Sequence, residues 1–236
     1  MRPEIPTDRT SFEIPSSYQL PLELLGIIDA MKLVFNFPKI NSLLKGNGEK
    51  ILVIPGYNAD DNFLYPMRYF LNKLGYNSKG WELGRNEGDV PLLLKILNEK
   101  IYSEFNIHKE KISIIGWSLG GYLAREIARD NPSLVNKVIT LGSPIVGGPK
   151  YTSISKQYME GRIDLDELEK EIDQRYEVPI PNPILVIYSK SDNIVSWNAC
   201  IDVYSPNVIH KEVNSTHIGL IVNTEVYKSI AEFLSR

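Results

Sequence analysis

Short apolar runs alternate with stretches of helical spacing along most of the chain. Strands are predicted at about 50–55, 76–81, 111–116, 136–142, 183–189 and 207–213. Helical patterns lie between and after them, near 62–74, 89–105, 119–130, 194–203 and 222–235. Strands alternating with helices imply right-handed βαβ units, hence an α/β protein with a mostly parallel sheet covered on both faces. Two segments stand outside this rhythm. Residues 1–17 are rich in Pro, Ser and Thr and read as extended, whereas Leu20 to Leu44 is mostly apolar. There Leu22, Leu25, Ile28 and Leu33 fall near helical spacing, predicting one or two helices. The second segment is an insertion of about forty residues, 145–182, between the strands ending near Leu141 and beginning near Ile184. Its centre, Ile163 to Asp173, has helical spacing with Asp164 placed to cap it. The expected organisation is an N-terminal arm over 1–45 and one domain over 46–236 that carries the insertion.

The strand over 111–116 runs directly into Gly116-Trp117-Ser118-Leu119-Gly120, and a helix follows at once. Glycines two before and two after a serine suit a sharp strand-to-helix turn, where strand and helix approach too closely for side chains. Such a turn lifts the Ser118 hydroxyl above the carboxyl end of the strand. A serine hydroxyl attacks only when a base takes its proton, and the chain holds three histidines. His108 lies in a polar connection at the amino end of a strand, the wrong edge for chemistry. His210 sits within a strand-like run. His217 follows the last strand in a polar turn, after the serine in chain order, and is the candidate base. The acid that orients it is expected between the two. Asp192 sits in the loop after the strand at 183–189, though an Asp there also suits the cap of a helix from Ile194. Asp202 is the other acidic candidate, further from a strand end.

Composition adds little beyond exclusions. At 236 residues and 43% hydrophobic the chain can bury one large core. A net charge of −3 gives no basic footprint for nucleic acid. One cysteine, Cys200, rules out an intramolecular disulfide and any cysteine-based zinc site. No carboxylate or histidine cluster has metal-ligand spacing, so neither metal nor cofactor is expected. No apolar run approaches a membrane span, and the first 17 residues, with Arg2, Glu4, Asp8 and three prolines, are unlike a secretory signal. The expected location is therefore cytoplasmic. The apolar N-terminal segment is expected to dock on the domain; its few lysines, Lys32, Lys39 and Lys45, do not predict contact with an anionic membrane surface.

The chain resembles the small α/β-hydrolases of the bacterial serine esterase and lipase type over about residues 50 to 235. The likeness rests on Ile54-Pro55-Gly56-Tyr57-Asn58-Ala59-Asp60, Gly80 to Asn86, Gly116 to Gly121, Leu141-Gly142-Ser143-Pro144, Asp192 to Trp197 and Ser215-Thr216-His217-Ile218-Gly219. It implies an α/β-hydrolase fold with Ser118, Asp192 and His217 as triad. It also implies an oxyanion hole from the backbone N–H groups of Tyr57 and Leu119; the bland alternative is a plain glycine turn after the first strand. Many relatives carry a histidine before the glycine at 56, where this chain has Pro55. The N-terminal 45 residues lie outside the resemblance.

The expected activity is hydrolysis of a small-molecule carboxylic ester or lipid through an acyl-enzyme on Ser118. An acyltransferase or thioesterase with the same triad, or a binding protein on this fold, remain alternatives. The insertion is expected over Ser118 as a lid or pocket wall, the alternative being a solvated acidic helix away from the site. Trp117, Tyr57 and Trp197 are the candidate substrate contacts, among aromatics that include Tyr151, Tyr158 and Tyr176. Arg85, after a strand end, is expected to buttress a loop rather than meet substrate. Oligomeric state leaves no readable trace.

Overall fold

The computed structural model describes residues 9–40, 45–156 and 163–236. The side chains of Phe37 and Lys39, together with Leu44 and Tyr158, lie outside what is described.

Six strands form one parallel sheet: β1 Lys50–Ile54, β2 Asn77–Gly80, β3 Ile112–Trp117, β4 Val135–Leu141, β5 Ile184–Tyr188 and β6 Val208–Glu212. Their spatial order is β2-β1-β3-β4-β5-β6, so the chain starts near one edge, doubles back once and then steps across. β1, β3 and β5 are buried along their whole length, which is why they read as continuous apolar runs. Alternate residues feed two cores. Ile51, Val53 and Ile115 face one side, with α2 (Tyr65–Lys73) and α6 (Thr224–Leu234). Leu52, Ile54 and Ile114 face the other, with α3 (Val90–His108) and α4 (Leu119–Asp130).

Local chemistry fixes the helix ends. The Asp89 carboxylate accepts from Leu92 N at 3.2 Å at the start of α3, and Asn223 accepts from Glu225 N at 2.8 Å at the start of α6. α3 runs three residues past its expected end, so His108 closes a helix instead of sitting in a loop; it remains on the surface, 3.7 Å from Glu104. The helix expected over 194–203 is not formed. Asp192 caps Ile194 N and Val195 N, but Val195 pairs antiparallel with Thr152, and this extended bridge leaves only a 3-10 turn at Trp197–Cys200.

The N-terminal segment is docked. A 3-10 helix, Ser17–Leu25, leads into α1, Gly26–Ile40, which packs on α6 and on the turn Gly219–Val222. Leu33 enters the core, and Phe12, in a stretch expected to be loose, is buried with its ring 4.8 Å from Tyr151. The segment's outward side stays apolar, with Leu24, Ile27, Val34 and Phe35 exposed. No helix among the described residues is long and apolar enough to cross a membrane.

The insertion forms α5, Leu165–Arg175, capped by Asp164, which accepts from Asp166 N and Glu167 N at 2.9 and 3.1 Å. Its acidic face is clipped to the body rather than free in solvent. Arg9 grips Asp173 and Glu169, Lys150 pairs with Asp166 and Glu169, and Arg175 pairs with Asp130 and Glu126. Burial works against the Glu169 charge, yet hydrogen bonds from Lys150, Arg9 and Tyr151 hold its carboxyl below the usual range.

Candidate active site

Ser118 stands between β3 and α4 at φ 55°, ψ −126°, a conformation L-residues avoid and one that the surroundings must enforce. Enforcement comes from close packing at the motif glycines. A Cβ on Gly116 would lie 2.1 Å from Gly120 O, and one on Gly120 would lie 2.2 Å from Ile54 O. Ser118 N is also tied to Leu141 O of β4 at 2.8 Å. The half-buried serine is thus held at the carboxyl edge of the sheet, with the α4 N-terminus directly behind it. Leu119 opens that helix, so its N–H belongs to the first turn, where no intrahelical partner exists.

His217 and Asp192 arrive from the loops after β6 and β5 and meet there. His217 Nδ1 lies 2.7 Å from Asp192 Oδ2, with both residues buried. Asp192 plays both roles expected of it: Oδ1 accepts from Ile194 N and Val195 N at 2.8 and 2.7 Å while Oδ2 holds the imidazole. Because a carboxylate only accepts, Nδ1 carries the proton and Nε2 is left as the basic nitrogen. Trp117, next to the serine, donates from Nε1 to His217 O at 3.1 Å, and its ring centroid is 5.1 Å from the imidazole. Asp202 is elsewhere, buried against Arg125. Burial opposes its charge, but Arg125 holds the carboxyl below its ordinary range. His210 stays on β6, where its Nε2 accepts from Asp202 N at 3.1 Å.

The β1 loop closes the opposite side. A Cβ on Gly56 would sit 2.9 Å from Ser118 Cβ, so Tyr57 follows directly from a residue in contact with the serine. Buried Asn86 sets this loop: it accepts from Asn58 N at 2.7 Å, donates to Ala59 O at 2.8 Å, and its Nδ2 donates to Pro55 O at 2.8 Å. Arg85 reaches back to Asn58 Oδ1 at 3.3 Å, so it does buttress a loop. In the sequence Asn86 stands only as part of a landmark; its main chain makes two of these bonds and its side-chain amide the third, and residue type after a strand end announces neither.

A cavity of about 310 Å³ opens beside Ser118. Tyr57, Leu119, Tyr122, Ile194 and Val195 line it from the domain, and Ile154, Ile163, Leu168 and Ile172 from the insertion. Insertion residues thus share the lining of this cavity with Ser118. Burial lifts the Tyr122 phenol well above its ordinary range, so it stays neutral, and the exposed Asp89 is the charged residue among those that line the cavity. Of the expected substrate contacts, Tyr57 lines the cavity while Trp117 and Trp197 do not. Trp117 is enclosed under Phe63, with ring centroids 5.2 Å apart, and Trp197 stacks on Tyr188 at 5.9 Å. Both aromatics serve the packing of loops rather than the pocket. Among the described residues, no group of three or more His, Cys, Asp or Glu could hold a metal ion.

Two loop anchors were not foreseen. Glu23, from the N-terminal segment, accepts hydrogen bonds from both the Asp192 and His217 loops, and Asp29 accepts from Ser215 Oγ at 2.6 Å. Apart from Lys32 they are the only charges between Tyr18 and Asn36, and both are buried. An acid inside an apolar run was the available signal, since such a group is buried only with donors to meet it.

No protein-family model matches the chain. A stretch of 60 residues is 40% identical to a pimeloyl-[acyl-carrier protein] methyl ester esterase of Proteus mirabilis, spanning 25% of this chain and 22% of that protein. Among solved structures, a lipase of Bacillus licheniformis superposes with a TM-score of 0.64 at 12% identity, over 82% of this chain and 94% of that one. A monoacylglycerol lipase of Paleococcus ferrophilus gives 0.59 at 16% identity over 81% and 96%. An esterase of Pyrococcus furiosus gives 0.59 at 19% identity over 80% and 83%. The chain has the α/β-hydrolase fold.

Proposed function

We propose that this α/β-hydrolase cleaves carboxylic esters through an acyl-enzyme on Ser118. One observation supports the reading: the buried Asp192–His217 pair, 2.7 Å apart, packs through His217 on Trp117, the neighbour of a conformationally forced Ser118 that lines an apolar cavity. His217 Nε2 takes the hydroxyl proton as Ser118 Oγ attacks the ester carbonyl carbon. Asp192 keeps the imidazole in the required tautomer and stabilises the imidazolium that forms. The backbone N–H groups of Tyr57 and Leu119 receive the developing oxyanion, a role in which one donor is worth about 3 kcal/mol of barrier. Collapse expels the alcohol, protonated by His217, and water then repeats the sequence to release the acid. A mostly apolar lining from both domain and insertion, with Asp89 its charged member, favours an apolar acyl group over an anionic one.

Purified protein is expected to hydrolyse p-nitrophenyl esters, and Ser118→Ala to lower kcat by about 10³-fold or more with the fold intact. Turnover retained in Ser118→Ala would overturn the assignment. Preferential transfer of the acyl group to an added alcohol or thiol would move the reading to an acyltransferase.

A further inference from the structure

The Asp192 and His217 loops hang from different strands, β5 and β6, and the hydrogen bond between Asp192 and His217 depends on their relative placement. Ser189 Oγ donates to Ser215 O at 2.5 Å and joins the loops near their roots. Nearer the tips, the link comes from outside the hydrolase domain. Glu23, in the 3-10 helix Ser17–Leu25, is only 5% exposed. Its Oε1 accepts from Asn193 N at 3.1 Å, Asn193 Nδ2 at 3.0 Å and His217 N at 3.1 Å. Its Oε2 accepts from Ile218 N at 2.7 Å. One carboxylate thus binds the residue after the acid, the histidine itself and the residue after the histidine.

Such bonds to an ionised acceptor are stronger than neutral ones, and burial strengthens them further. They also explain why an acid is tolerated inside an apolar segment. A docking contact alone would be served by any apolar side chain; a carboxylate aimed at three backbone N–H groups sets where those groups lie.

We propose that Glu23 is a positioning residue of the active site, holding the Asp192 and His217 loops in register so that the N-terminal segment completes the catalytic apparatus. The proposal rests on the ester-hydrolase reading for its consequence in turnover, but not for its structural content.

The test uses full-length Glu23→Gln and Glu23→Ala beside wild type, Ser118→Ala and Leu33→Ala. Gln keeps an oxygen for Asn193 and His217 while placing an amide against Ile218 N–H; Leu33 docks the same segment through apolar packing alone. On p-nitrophenyl butyrate, kcat is expected to fall about tenfold in Glu23→Gln and further in Glu23→Ala, with KM changed less than about twofold. Leu33→Ala is expected to lower Tm yet keep kcat within about twofold while folded. By proton NMR, the downfield resonance of the His217 Nδ1 proton, sharp in wild type, is expected to broaden or vanish in Glu23→Gln. Wild-type kcat and an unchanged resonance in folded Glu23→Gln would overturn the proposal, as would an equal loss of kcat in Leu33→Ala. Should Ser118→Ala keep its turnover while Glu23→Gln loses the resonance, the ester-hydrolase reading would fall and the positioning role would stand.

Discussion

Two buried aspartates have different partners, and under the proposed mechanism they divide the work between chemistry and stability. Asp192 faces His217, and its Oδ1 is committed to the backbone of Ile194 and Val195. Asp192→Asn preserves that cap through the amide oxygen but turns an NH2 toward Nδ1–H, so kcat is expected to drop about 10²- to 10⁴-fold with Tm nearly unchanged. Asp202→Asn should do the reverse. It leaves the fully buried Arg125 without its counter-charge, a loss of about 3–5 kcal/mol and about 10 °C in Tm, with kcat of the folded enzyme intact. The sign with pH follows from the lowered Asp202 carboxyl. Its stabilisation is complete above the unfolded carboxylate pKa and is lost as pH falls through the lower folded value, so the variant's deficit should shrink in acid. Paired thermal melts and esterase assays across pH check both halves; a large kcat loss in Asp202→Asn would reverse the assignment. The pairing of Asp192 with His217 was legible in the sequence because a residue's position after a strand is a topological fact. The Arg125 pairing was not, because it joins a helix to a distant loop with no spacing to announce it.

Elements were readable to the extent that burial imposes a period. Strands buried on both faces gave unbroken apolar runs, and helices with one apolar face gave theirs. The segment after Asp192 misled because its apolar residues are buried by a bridge to Thr152 rather than by a helix. α5 shows the opposite case: its charges suggest a solvated helix, yet ion pairs hold it in place and its apolar residues wall the cavity. If α5 limits the acyl group, filling space there should change selectivity before it changes chemistry. Leu168, half-buried on the cavity wall, is the position of choice. Leu168→Trp is expected to lower kcat/KM for p-nitrophenyl octanoate about tenfold to a hundredfold relative to acetate. Acetate turnover should change little, since the proposed triad comes from other elements. Equal effects on both esters would place the acyl group elsewhere.

At the scale of the whole molecule, the N-terminal segment is where pattern reading reached docking but not purpose. Its apolar content predicts a docked segment, and the packing of Leu33, Phe12 and α1 agrees. Hydropathy could not reveal that its two acids point inward at the loops carrying Asp192 and His217, because it records how much surface is hidden and not which donors wait beneath. This makes the expected result of removing residues 1–45 specific. The truncated chain would expose the core surface now covered by Leu33 and leave the N–H groups of Asn193, His217 and Ile218 without their carboxylate. Losing the acceptor of a buried donor costs about 1–3 kcal/mol, and each kcal/mol lowers Tm by about 2–4 °C in a chain of this size. Truncation is therefore expected to lower Tm by about 10 °C or to cause aggregation, and to reduce kcat in whatever remains folded. Calorimetry and ester turnover on the truncated and full chains decide it. A truncated protein equally stable and equally active would make the segment an independent arm. One that loses stability alone would confine the segment to covering the core, because stability registers buried surface whereas kcat registers where His217 and Asp192 are held.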